Sequence, residues 1–233
     1  PHQSSAASDV YKRQIKYLQQ KKHLNNSIIA VYKKILLLLL HPTEKKYYYE
    51  LKNHIAENAA KIPHERLASF YMYLANSVKN LFSATTYYEE LFDIYKSQLE
   101  QKIIYQDGFL LHSIFKNIVT TSLHLKKYNW CEHFILQHQN KIIPKEYEND
   151  VYCYNLANLY FHQKKYDKVT ELLQNSACKD IFYKLSQKMI LAQTYYKIKE
   201  IQLLESQLNS FGRLLHYYKL SLIHISEPTR HVD

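Results

Sequence analysis

Residues 150–174, DVYCYNLANLYFHQKKYDKVTELLQ, decide the fold. Tyr152, Leu156, Leu159 and Tyr160 recur at three- and four-residue spacing, which lines up one apolar face of a helix. Asp150 is placed to cap its start, since a carboxylate there accepts orphan backbone N–H groups. Gln163, Lys164 and Lys165 interrupt the pattern, and Tyr166, Val169, Leu172 and Leu173 resume it. The stretch therefore predicts two amphipathic helices joined by a tight polar turn. Ala157 is small where the first helix should press on the second, so the two backbones can approach closely.

The same grammar returns along the chain. Leu191-Ala192, Tyr195, Leu204, Leu208 and Phe211 follow it 35 residues on, comparing Ala192 with Ala157. Ile118-Val119, Tyr128, Cys131 and Ile135 follow it 38 residues earlier. Leu74-Ala75, Val78, Tyr88 and Leu91 fit more loosely, 44 residues before Val119. Such periods suit stacked helix pairs, which need several units to bury a continuous core. The pattern resembles the tetratricopeptide repeat, over about residues 65–217 and most clearly over 109–211. Two positions depart from it: Val169 stands where the family has Ala, and Ile181 where it has a closing Pro.

That resemblance implies an all-α fold, an antiparallel helix-hairpin solenoid whose first helices line a concave groove. Mapped onto this chain, it places Lys116, Asn117 and Thr120 in the groove from one hairpin. Asn155, Asn158 and His162 come from the next, and Gln193 and Lys197 from a third. Amides can both donate to and accept from a peptide backbone, and Lys can meet a carboxylate. The implied function is a non-enzymatic scaffold that holds a peptide or partner helix. The competing expectations are a basic, Tyr-rich nucleic-acid binder and a regulatory helical segment of a larger protein.

Composition agrees with helices. Two Gly and five Pro leave little for turn-rich β architecture. Tyrosine is abundant, at 23 copies, but sits at helical spacing, where its amphipathic ring suits seams with one wet end. The net charge of +10 raises the prospect of polyanion binding. Its lysines, however, are dispersed as doublets such as Lys33-Lys34, Lys126-Lys127 and Lys164-Lys165, which reads as solvated surface. Cys131, Cys153 and Cys178 form no CxxC and no even framework, as expected of reduced thiols in a cytoplasmic protein. The apolar run 35–40 is too short to span a bilayer, so no membrane anchor is expected.

The expected organisation is a tail over 1–14, degenerate helical repeats over 15–108, tetratricopeptide-like repeats over 109–220 and a second tail over 221–233. The strings SSAASDVYKRQ (4–14) and SLIHISEPTR (221–230) resemble translated adapter sequence, which makes the native portion a fragment by expectation and excludes the tails from fold reasoning. Between them, Pro42 should end the first helix, Thr43 cap the second and Pro63 open the third. Thr86 to Glu89 reads as a capping box. Asp107-Gly108 breaks the chain, and helices over 109–125 and 130–139 form the first clear hairpin.

No phosphate loop, GxSxG or HExxH is present. Neither catalysis nor a cofactor is expected. Cys131 and His138 share a helix face, but seven residues separate them by about 10 Å of axial rise, too far for one metal ion. Glu89 and Glu90 are expected on different sides of their helix. Tyr47-Tyr48-Tyr49 and Tyr217-Tyr218 could stack on bases, though packing with wet edges accounts for them more simply.

Overall fold

The computed structural model describes residues 27–218 together with Arg13. The expected tails, Arg13 apart, and residues 15–26 of the first expected helix lie outside the described residues. Within them the chain is all-α: ten α-helices, two short 3-10 turns and one two-residue parallel pairing. Two compact units divide at Asp107 and Gly108. Both residues have positive φ, 50° and 85°, a backbone conformation that favours glycine.

The first unit contains α1 (Ser27–Leu40), α2 (Lys45–Asn58), α3 (His64–Leu81) and α4 (Ala84–Glu100). Each buries one stripe at helical spacing. Val31, Ile35 and Leu38 on α1 meet Tyr48, Leu51 and Ile55 on α2, the three residues whose spacing marks that helix's apolar face. Leu67, Phe70, Leu74 and Val78 on α3 and Leu91 and Ile94 on α4 complete the core.

The helix starts differ from those expected. Thr43 is not a cap, because α2 begins after Glu44 and no side chain closes its N-terminus. The proposed capping box falls inside α4, which already starts at Ala84, so the Thr86 hydroxyl sits within the first turn. Pro63 stands one residue ahead of α3, where its carbonyl accepts the Leu67 N–H at 2.9 Å.

The second unit contains three hairpins: α5 (His112–His124) with α6 (Tyr128–His138), α7 (Glu148–His162) with α8 (Tyr166–Gln174), and α9 (Ile181–Ile198) with α10 (Ile201–Tyr217). α5 begins later than expected because Leu110 and Leu111 are extended and pair with Ile142 and Ile143. α7 packs on α5, α6, α8 and α9, and α9 packs on α7, α8 and α10. Ala157 is fully buried in a cluster with Val169, Leu173, Ile190, Leu191 and Tyr195, so the seam of this hairpin also receives the next helix.

The turns inside the three hairpins are alike. Lys126, Lys164 and Lys199, 38 and 35 residues apart, all adopt left-handed φ of 55°, 60° and 62°. In each, the next N–H returns to a carbonyl five residues back: Lys127 to Ser122, Lys165 to Tyr160 and Glu200 to Tyr195, at 2.9, 2.9 and 3.0 Å. These bonds satisfy carbonyls that the end of the first helix would otherwise leave open. The carbonyls of Lys127, Lys165 and Glu200 then accept the N–H groups of Cys131, Val169 and Leu204, starting the second helices.

Asp150 does not cap α7. The helix already starts at Glu148, and Asp150 is buried in its first turn. Its carboxylate accepts the backbone N–H groups of Lys179 and Asp180, at 2.9 and 2.7 Å. Asp180 then caps α9 by accepting the Tyr183 N–H at 2.9 Å. Asp150 therefore holds the entry of the following hairpin, because those donors precede a helix and find no partner within it.

Candidate functional site

α7 packs on both α5 and α9, and each of these three helices carries a row of side chains that are not fully buried. At four-residue spacing α5 contributes Lys116, Thr120 and His124, α7 contributes Tyr154, Asn158 and His162, and α9 contributes Met189, Gln193 and Lys197. The α5 and α7 rows meet at both ends. At one end the Lys116 ammonium lies 5.8 Å from the centre of the Tyr154 ring, within cation–π range. At the other, burial holds His162 below the ordinary histidine pKa, and the neighbouring His124 lowers it further.

The Lys116 end is the more elaborate. The Tyr154 ring lies 5.7 Å from that of Tyr183 on α9, and the Tyr183 hydroxyl and His112 Nδ1 are 2.9 Å apart. These contacts tie α5, α7 and α9 together on one side. His112 is held below its ordinary pKa, first by burial and further by Lys116, while Asp180 opposes the shift. Burial alone lowers the Lys116 pKa. A half-buried ammonium resting on an aromatic face can regain the solvation it lost by binding an anionic group.

The expected site residues separate accordingly. Lys116 and Asn158 are half-buried on these rows, and Gln193 and Lys197 are exposed on them. Asn117 is exposed but lies one residue off the Lys116 row. Asn155 is a correction. It is fully buried and its amide donates to the Val151 carbonyl at 2.7 Å, so it faces the interior rather than a groove. Four helices pack around α7, and Tyr154 and Asn158 stay half-buried and His162 exposed along one row of it.

No family model matches this chain, and no curated protein matches it. Among solved structures, BtubC (BKLC) from P. vanneervenii is similar, with a TM-score of 0.54 and 13% identity over 97% of this chain and 95% of that one. At that identity the likeness is one of fold.

Cys131 and His138 resolve into packing. Cys131 is fully buried, and burial pushes its thiol up to about 11. His138 is buried, stacks on Phe134 and pairs through Nδ1 with the Phe134 carbonyl at 2.9 Å. No cluster of three metal-binding side chains occurs among the described residues. No helix among them is long and apolar enough to cross a membrane. Tyr48 is buried, whereas Tyr217 and Tyr218 are exposed with rings 4.9 Å apart.

Sequence reasoning missed a polar centre in the first unit. Glu90 is nearly buried and accepts hydrogen bonds from Tyr48 at 2.9 Å, Tyr49 at 3.2 Å and the Lys52 ammonium. Phe82 packs edge-on against both tyrosines. Tyr48, Tyr49 and Lys52 lie on one helix and Glu90 on another, 38 to 42 residues away, so no local pattern announces the pairing.

Proposed function

We propose that residues 108–218 form a tetratricopeptide-like solenoid that holds an extended peptide along the α5/α7/α9 strip and performs no chemistry of its own. The observation that carries this reading is the turn repeated at Lys126, Lys164 and Lys199, with the first helices of its three hairpins packed side by side. A row of like helices presents one periodic surface, and a periodic surface fits an extended chain. Lys116 and Lys197 supply cations for carboxylates, and Asn158 and Gln193 supply amides for peptide groups. The three free cysteines fit a cytoplasmic setting.

The test is a fluorescence-anisotropy screen of peptides ending in acidic residues, alongside amidated and neutral controls. We expect acidic peptides to bind, and Lys116→Ala combined with Gln193→Ala to weaken them by about tenfold or more without changing helicity. Equal binding by wild type and the double variant sinks the groove assignment.

A further inference from the structure

The first helices of the second unit's hairpins run in one direction. Lys116 of α5 meets Tyr154 of α7 near their starts, and His124 stands beside His162 at their ends, 38 residues apart in both cases. Asp150 of α7 holds the backbone of Lys179 and Asp180 where α9 begins, and Phe161 lines one groove with Tyr196 and Lys197 where α9 ends. The three turns of like backbone therefore stand at one edge of the unit.

That edge is basic. Lys126 and Lys127, Lys164 and Lys165, and Lys197 and Lys199 are all exposed there, against Asp167 and Glu200. The rest of residues 108–218 is close to balanced, with eight cations and seven carboxylates. Doublets that lie far apart in the sequence share an edge because the hairpins repeat every 35 to 38 residues. Among the described residues, no carboxylate forms an ion pair with Lys126, Lys164, Lys197 or Lys199. The backbone also bears a cost for three of these side chains. Glycine fills a left-handed position freely, yet Lys stands there in all three turns. Residues held in such a conformation concentrate where a ligand is clamped.

The spacing of the pairs selects the partner. Packed helices lie about 8–10 Å apart, so the lysine pairs form a sparse ladder with rungs at that interval. An extended peptide advances roughly 10 Å in three residues, so carboxylates three positions apart meet successive rungs. A nucleic acid carries a phosphate every ~3.4 Å along each strand, which leaves most of its charge unmatched. A membrane surface is gripped by apolar insertion as well as charge, but Tyr128, Phe161 and Tyr166 beside the first two turns are half-buried.

We propose that this edge binds an extended acidic segment of a partner protein, with Glu or Asp at every third position and one carboxylate at each turn. Only Lys197 is shared with the α5/α7/α9 strip, and the proposal does not depend on a peptide lying there.

Fluorescence anisotropy on the full chain, in about 25 mM salt, tests this. The probes are two C-terminally amidated peptides of one composition, with three Glu either at every third position or contiguous. The spaced peptide should bind about threefold or more tightly than the contiguous one. Lys126→Gly, Lys164→Gly and Lys199→Gly together remove one side chain from each turn at positions that suit glycine, so the fold is kept. They should weaken the spaced peptide about tenfold or more. Lys141→Gln, Lys145→Gln and Lys179→Gln, an equal loss of charge at the edge where the helices begin, should change its affinity less than about twofold. Equal losses from the two triple variants overturn the proposal, since net charge alone then accounts for binding. So does equal binding of the two peptides, binding of neither, or displacement of the spaced peptide by phosphatidylserine vesicles or an oligonucleotide at equal charge concentration.

Discussion

At the scale of single residues, two carboxylates do work that their sequence neighbours do not reveal. Asp150 looks like a cap for its own helix and instead receives the N–H groups at the entry of the next hairpin. Glu90, on the other side of its helix from the exposed Glu89, gathers two tyrosines and a lysine. Burial raises its pKa, but the hydrogen bonds from Lys52 and Tyr48, the Lys52 charge and the Tyr49 hydroxyl outweigh this and hold it below 4.5. A carboxylate with a lowered folded pKa stabilises the native state above its unfolded pKa, and that stability is lost as pH falls through the folded value. The thermal midpoint should therefore drop as pH is lowered below about 4.5, and Glu90→Gln should flatten that slope while lowering stability at neutral pH. Equal acid slopes for variant and wild type would assign the drop to other groups. The same carboxylate pushes the Tyr48 hydroxyl pKa upward, after burial itself, so the pair stays as phenol and carboxylate across neutral pH.

At the scale of elements, the hairpin turn is where sequence and geometry conflict. Lys126, Lys164 and Lys199 occupy a left-handed conformation that costs a residue with a Cβ about 1 kcal/mol and glycine almost nothing. Lys164→Gly should thus raise stability by roughly 0.5–1 kcal/mol in urea denaturation, and Lys164→Val should lower it. No gain from glycine would show that the Lys side chain compensates for its backbone. The seam makes the opposite demand, for a side chain no larger than a methyl group. Ala157→Trp should overpack the cluster with Val169, Leu173 and Leu191 and cost on the order of 1–3 kcal/mol or more. An unchanged thermal midpoint for that variant would contradict its burial.

At the scale of the whole molecule, charge and apolar spacing leave different marks. The net charge of +10 is spread over dispersed lysines, several of them paired with carboxylates on neighbouring turns, such as Lys145 with Glu148 and Lys96 with Glu100. Binding of a labelled oligonucleotide should accordingly be weak and vanish by about 0.2 M salt; tight binding surviving that salt would point to an organised basic site. The all-helical class, the spacing of the second unit's hairpins, and the apolar faces of α2 and of the α7–α8 pair were all legible in the order of residues. Each follows from a helix meeting its neighbours every three or four positions, a local rule that sequence carries directly. Only the tertiary structure decided that Asn155 turns inward, that Asp150 serves the hairpin after its own, that His112 reaches Tyr183, and that Glu90 is enclosed. Those outcomes depend on which helices, tens of residues apart, come to lie against one another, and the spacing within a single helix does not encode its neighbours.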